Sequence, residues 1–146
     1  QMNTPKDWRG YVFSRPINGQ IIPQRVQNLV IREYANKLGL SYLLSATEYH
    51  MDECFMMLNS SLKELDDIEG LIFYSTHQLP VNDFERHRLF ETLLQRKTGL
   101  RFAVEELELL STEDINLIED IILCRRITQH YSKPNAIMNL MMRGEK

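Results

Sequence analysis

Cysteine is scarce in this chain of 146 residues. The two present, Cys54 and Cys124, stand far apart with no C-x-x-C spacing. That excludes a disulfide-stapled fold and a zinc module, and it predicts reduced thiols in a cytoplasmic protein. No apolar run approaches the roughly 18 residues of a membrane span, and the polar first eight residues lack a signal-peptide pattern, so no membrane partner is expected. Glycine and proline are few, at 6 and 5, which argues against long linkers or disorder. Neither G-x-G-x-x-G nor G-x-x-x-x-G-K-[ST] occurs, so no dinucleotide or nucleotide cofactor is expected. No H-x-x-x-H spacing points to a metal either. There is also no basic excess: 17 Lys and Arg face 20 Asp and Glu, a net charge of −3. Such a balance gives no global attraction to a phosphate backbone and predicts no nucleic-acid partner.

What is present is an alternation of short apolar runs with longer amphipathic ones. "GYVFS" (10–14) reads as a buried strand, followed by a helix in "QRVQNLVIREYANKLG" with Val26, Leu29, Val30, Tyr34 and Leu38 at helical spacing and Gly39 as its stop. "LSYLLS" (40–45) reads as a second strand, and residues 49–65 as a second helix through Met51, Phe55, Leu58, Leu62 and Leu65. "GLIFYS" (70–75) is almost wholly apolar, the mark of a strand covered on both faces in a parallel sheet. A helix over 82–97, a fourth strand in "LRFAVEEL" (100–107) and a last helix from Ser111 complete the order. The expectation is one α/β domain over 9–131, a three-layer α/β/α sandwich with a mainly parallel sheet of four or five strands. A flexible leader (1–8) precedes it, and a Met-rich arm or short helix (132–146) follows.

Open parallel sheets bind ligands outside the carboxyl ends of their strands, where loops and helix N-termini converge. Each strand here releases chemically capable residues at that edge. The first ends on Ser14 and Arg15, with Gln20 and Gln24 in the loop beyond. The second ends on Ser45, followed by Glu48 and His50; the third on Ser75, His77 and Gln78; the fourth on Glu105. Arg15 suits an anion. His77 is the natural acid/base group, with Glu105 or Glu48 to orient it, and Ser14 or Ser75 is a nucleophile if a base reaches it. The same residues admit structural roles: Ser45 and Glu48 fit an S-x-x-E capping box, and Asn18-Gly19 is a turn signal.

The segments "RGYVFSRP", "PQRVQNLVIREYA", "LSYLLSATEY" and "GLIFYSTHQLP" resemble the sporadic carbohydrate cluster proteins over most of residues 9–127. The resemblance implies surface-polysaccharide or O-antigen biosynthesis, without established catalytic residues. A looser resemblance joins the order of elements, the serine after the first strand, the Gln27 helix and "FAVEE" to the resolvase-like catalytic domain of serine recombinases. That family sets a serine nucleophile in a cluster of arginines, with a D-R-x-x-R pattern after the third strand. Here the corresponding stretch reads "THQLPV", with neither arginine nor aspartate, and Arg15 falls at the nucleophile position. The second resemblance therefore implies the fold and not an active recombinase.

Three functions follow as expectations. The first is a carbohydrate-biosynthesis protein binding a phosphorylated or anionic sugar: His77, Glu105 and Ser14 would be catalytic, and Arg15, Gln20, Gln24, Ser45, Glu48, His50, Ser75 and Gln78 would bind substrate. The second is a non-catalytic assembly subunit acting through the last helix, whose isoleucines and leucines cover more than one stripe, and through Met138, Met141 and Met142 in the tail. A homodimer or tetramer paired through that helix belongs with it. The third is a nucleic-acid enzyme related to the serine recombinases.

Overall fold

The computed structural model describes residues 7–131, which divide along the chain into two compact units after Leu110. The expected arm at 132–146 and most of the expected leader lie outside the described residues. The first unit runs β1 (Trp8–Phe13), α1 (Gln24–Lys37), β2 (Tyr42–Glu48), α2 (Met56–Ser61), β3 (Gly70–Phe73), α3 (Asp83–Gln95), β4 (Gly99–Phe102) and β5 (Leu107–Leu109). The sheet order is β2-β1-β3-β4-β5. The first four strands are parallel, and β5 is antiparallel to β4. The α/β class and the mainly parallel sheet are those predicted.

Strand order reverses between β1 and β3, so the crevice of an open α/β sheet falls at the carboxyl ends of these two strands. One face of the sheet packs Trp8, Val12, Ile72 and Ala103 against Ile31, Tyr34 and Ala35 of α1. The other carries the aromatic series Tyr11, Phe13, Phe73 and Phe102, and Phe55 at the start of α2 joins it. β3 is buried along its whole length, as its unbroken apolar run requires.

β2 carries a bulge. Arg9 pairs with Leu43 but Tyr11 with Ala46, so two residues, Leu44 and Ser45, stand opposite Gly10. Only glycine fits there, because a Cβ at Gly10 would run into the Ser45 hydroxyl. The loop after β1 tightens through Asn18 and Gly19, both with positive φ (51° and 78°), and Ile17 and Gln20 bond reciprocally across it. That is the Asn-Gly turn signal in its two-residue hairpin form.

Three expectations shift. The buried stripe of α1 is Gln27, Ile31, Tyr34 and Ala35, whereas Val26, Leu29 and Leu38 are exposed. The second helix starts at Met56 and not near Tyr49, because residues 49–55 form a loop whose carbonyls serve another purpose described below. The fourth strand is two: Glu106, at φ 53°, turns the chain back and opens β5.

The second unit carries α4 (Thr112–Tyr131). Ser111 stands before it with its hydroxyl and backbone N–H on the Asp114 carboxylate. Ile118 is buried, while Leu117, Leu123 and Ile127 are about half exposed.

Candidate functional site

The candidate residues gather at the carboxyl edge in two clusters on either side of the β1–β3 crevice. The first centres on Glu48, the last residue of β2, which is 1% exposed. Its carboxylate accepts from Tyr11 Oη at 2.8 Å, Leu58 N at 3.0 Å, Met57 N at 3.0 Å and Tyr49 N at 3.2 Å, with Cys54 Sγ at 3.7 Å. Two of these donors are the otherwise unpaired N–H groups of the first turn of α2, so the carboxylate anchors the helix to the strand. Burial, and then the charge of Glu48, push the Tyr11 phenol far above its ordinary value of 10. Tyr11 is therefore a hydroxyl donor and not a base.

Arg15 belongs to the same cluster. It is 6% exposed, its guanidinium lies 3.9 Å from the Phe13 ring centroid and 5.0 Å from that of Phe55, and its Nη1 donates to the carbonyls of Tyr49, Met51 and Cys54 at 3.2, 3.2 and 2.7 Å. The 49–55 loop is folded around this cation. Ser14 Oγ donates to the Glu48 carbonyl at 2.7 Å, and His50 Nδ1 donates to the Ser14 carbonyl at 3.1 Å. The structure thus brings Ser14, Arg15, Glu48 and His50 together, but Arg15 faces protein carbonyls.

The second cluster follows β3. Ser75 and Gln78 form a capping box on the 3-10 turn Thr76–Gln78: Ser75 Oγ accepts from His77 N at 3.1 Å, and Ser75 N donates to Gln78 Oε1 at 3.0 Å. Glu105 accepts from Ser75 Oγ at 2.7 Å, Thr76 Oγ1 at 2.7 Å and Thr76 N at 3.1 Å. Burial opposes its charge, but the hydrogen bonds from Ser75 and Thr76 outweigh it and hold the carboxyl below its ordinary 4.5. His77 sits half-buried in the middle of this turn. Gln78 Nε2 reaches the Tyr11 carbonyl at 3.4 Å and so ties the second cluster to β1.

The other candidates stand apart. Ser45 lies inside β2 with its hydroxyl 2.5 Å from Tyr42 Oη, and that phenol donates to Asn28. The S-x-x-E pattern therefore caps no helix at that point. Gln20 and Gln24 are exposed, in the turn and at the start of α1.

Gln27, named in the sequence reading only through the resolvase-like resemblance, has a structural role at this edge. Fully buried, it accepts from Phe13 N at 2.9 Å and donates to Phe13 O and Ile22 O, both at 2.8 Å, which finishes the end of β1 as a neighbouring strand would. A glutamine in phase with Ile31 and Tyr34 was the available signal. Among the described residues, no group of three or more His, Cys, Asp or Glu is arranged to hold a metal. No described helix is long and apolar enough to cross a membrane.

No protein-family model matches the sequence, and no curated protein matches it either. The resemblance to the sporadic carbohydrate cluster proteins finds no support there. Solved structures do match. The N-terminal catalytic domain of TP901-1 integrase aligns over 86% of this chain and 99% of its own, with a TM-score of 0.58 at 11% identity. A resolvase family site-specific recombinase from Streptococcus pneumoniae aligns over 97% and 100%, with a TM-score of 0.57 at 8% identity. An integrase catalytic domain and a site-specific recombinase as neighbours overturn the expected polysaccharide-biosynthesis function, with its anionic sugar as partner and no nucleic acid. Of the Arg15 head expected to meet the sugar's charge, Nη1 is turned onto the carbonyls of Tyr49, Met51 and Cys54. A net charge of −3 describes the whole chain and says nothing of a local surface. The fold is resolvase-like.

Proposed function

We propose that this chain is a recombinase-type domain that works on DNA without cutting it. The observation that carries the reading is the fold, shared almost end to end with a site-specific recombinase and with an integrase catalytic domain. Serine attack on a phosphodiester builds negative charge that placed cations must stabilise. Next to Ser14 in the chain, Arg15 turns its Nη1 onto three backbone carbonyls, and the "THQLPV" stretch after β3 brings no arginine. Ser14 itself is held on the Glu48 carbonyl. The edge thus keeps the architecture of a phosphoryl-transfer site and lacks its electrostatics.

Fluorescence anisotropy on a labelled DNA duplex between about 50 and 200 mM salt tests the reading, paired with a denaturing gel for covalent serine–DNA adducts. Binding whose logarithm falls linearly with the logarithm of salt, by roughly 0.9 per phosphate contacted, is expected, with no adduct. Absence of binding at the lowest salt would remove DNA as the partner. An adduct that disappears in Ser14→Ala would refute the non-cutting role.

A further inference from the structure

The acidic balance of the chain hides an uneven placing of its cations. Arg9, Arg86, Arg96 and Arg101 each meet a carboxylate within 3.2 Å, and Arg15 is buried. Arg25 and Arg32, both on α1, are exposed and meet no carboxylate among the described residues. Their charge is free to act outward.

The two arginines share one face of the helix. Seven residues apart, they differ by about 20° in direction and stand about 10 Å apart along the axis. That face lies opposite the buried stripe of Gln27, Ile31, Tyr34 and Ala35. Asn28 and Asn36 fall on it as well. Asn28 Oδ1 accepts from Tyr42 Oη at 2.9 Å, which leaves its NH₂ as a donor, and the Arg32 guanidinium carbon lies 6.0 Å from the Tyr42 ring centroid. Glu33, the one acid of α1, points about 100° away from Arg32, and the first turn holds no acid. The longer helices α3 and α4 differ, since both open on acids: Asp83 and Glu85 in one, Glu113 and Asp114 in the other. Arg88 of α3 stands three residues from Glu85 and three from Glu91, so acids offset its charge.

We propose that the outer face of α1 is the surface on which this domain holds a DNA duplex. Arg25 and Arg32 each neutralise one backbone phosphate, and Asn28 and Asn36 donate amide N–H groups to phosphate or sugar oxygens. Such contacts carry no sequence information, so this face gives affinity without choosing a site. The inference rests on the DNA reading and adds the surface to it.

Fluorescence anisotropy on two labelled duplexes of unrelated sequence, between about 50 and 200 mM salt, tests the assignment. Arg25→Gln and Arg32→Gln should each lower the slope of log affinity against log salt by roughly 0.9 and weaken binding on the order of tenfold at the lowest salt, equally on both duplexes. Arg25→Lys and Arg32→Lys keep the charge and should keep the slope. Arg88→Gln removes the same charge from α3 and should leave the slope unchanged. Glutamine and lysine are good helix formers, and circular dichroism checks that every variant is folded. A parent that binds, with glutamine variants that keep its slope or lose no more than Arg88→Gln does, overturns the assignment to α1 and spares the DNA reading. Lysine variants that lose as much as the glutamine ones overturn it too. A parent that fails to bind at the lowest salt removes both.

Discussion

Replacing Glu48 by glutamine tests whether the carboxyl edge is built for internal support. The carboxylate serves four hydrogen-bond donors within 3.2 Å: Tyr49 N and Met57 N on Oε1, Tyr11 Oη and Leu58 N on Oε2. A glutamine can keep its carbonyl on Tyr49 and Met57 and turn its NH₂ toward Tyr11, whose hydroxyl can rotate to accept. Leu58 N–H then loses its acceptor, and the other contacts lose the charge that strengthens them. The sum is about 2–4 kcal/mol of destabilisation. For a chain of this size that is roughly 6–15 °C in Tm. Glu48→Ala, which abandons all four donors, should cost about 3–5 kcal/mol. Urea unfolding followed by Trp8 emission gives both values, provided the m-value is unchanged. The arrangement also predicts coupling. Glu48 holds Tyr49 N and the start of α2, and the carbonyls around Arg15 come from the loop between them. Arg15→Met and Glu48→Gln should therefore combine less than additively, by about 1–2 kcal/mol. A Glu48→Gln cost below about 0.5 kcal/mol, or additivity within that margin, would refute the view that one carboxylate and one guanidinium stabilise a single loop.

Glu105 ties stability to acid: its carboxyl is depressed in the folded state, so its support is complete above the unfolded value near 4.5 and is lost as pH falls below it. Urea midpoints between about pH 3 and pH 6 should fall steeply at the acid end, and Glu105→Gln should flatten that limb. Gln27→Leu leaves Phe13 N–H and the carbonyls of Phe13 and Ile22 without their side-chain partner. It should cost about 2–4 kcal/mol and speed hydrogen exchange at the Phe13 amide. Gly70→Ala drives a methyl into the Trp8 ring, and about 2–3 kcal/mol of overpacking with a shifted Trp8 emission should follow.

The parallel sheet was legible because its signals are apolar and local. "GLIF" is buried at all four positions, and Gly39 stops α1 with a φ of 71°. The edge was legible as a place, since Ser14, Arg15, Ser75 and Glu105 do stand at strand ends. Their orientation was not, because it depends on contacts between residues more than 25 positions apart. Arg15 reaches carbonyls at 49, 51 and 54, and Glu105 reaches Ser75 and Thr76. The same long-range demand explains the misplaced second helix. Residues 49–55 could be wound helically only by withdrawing their carbonyls from Arg15. The α1 stripe was read one residue out of phase because Gln27, a polar residue, occupies the innermost position. A hydrophobic pattern gives such a position no weight, although a glutamine closing the end of a strand is worth as much to the fold as a leucine.

A polar residue at a strand end can face a ligand or its own protein, and hydrogen-bond satisfaction separates the two. At the carboxyl edge the polar groups answer one another: Glu48 and Glu105 are each surrounded by protein donors, and Arg15 by protein acceptors. A ligand arriving there would have to displace bonds already made, and phosphate would have to compete with three carbonyls for Nη1 of Arg15. DNA engagement would then have to use surface outside the clusters of Glu48 and Glu105. Substitutions that open the carboxyl edge, such as Arg15→Met, should accordingly lower stability while leaving DNA affinity per folded molecule unchanged, and a parallel loss of both would return the phosphate to Arg15.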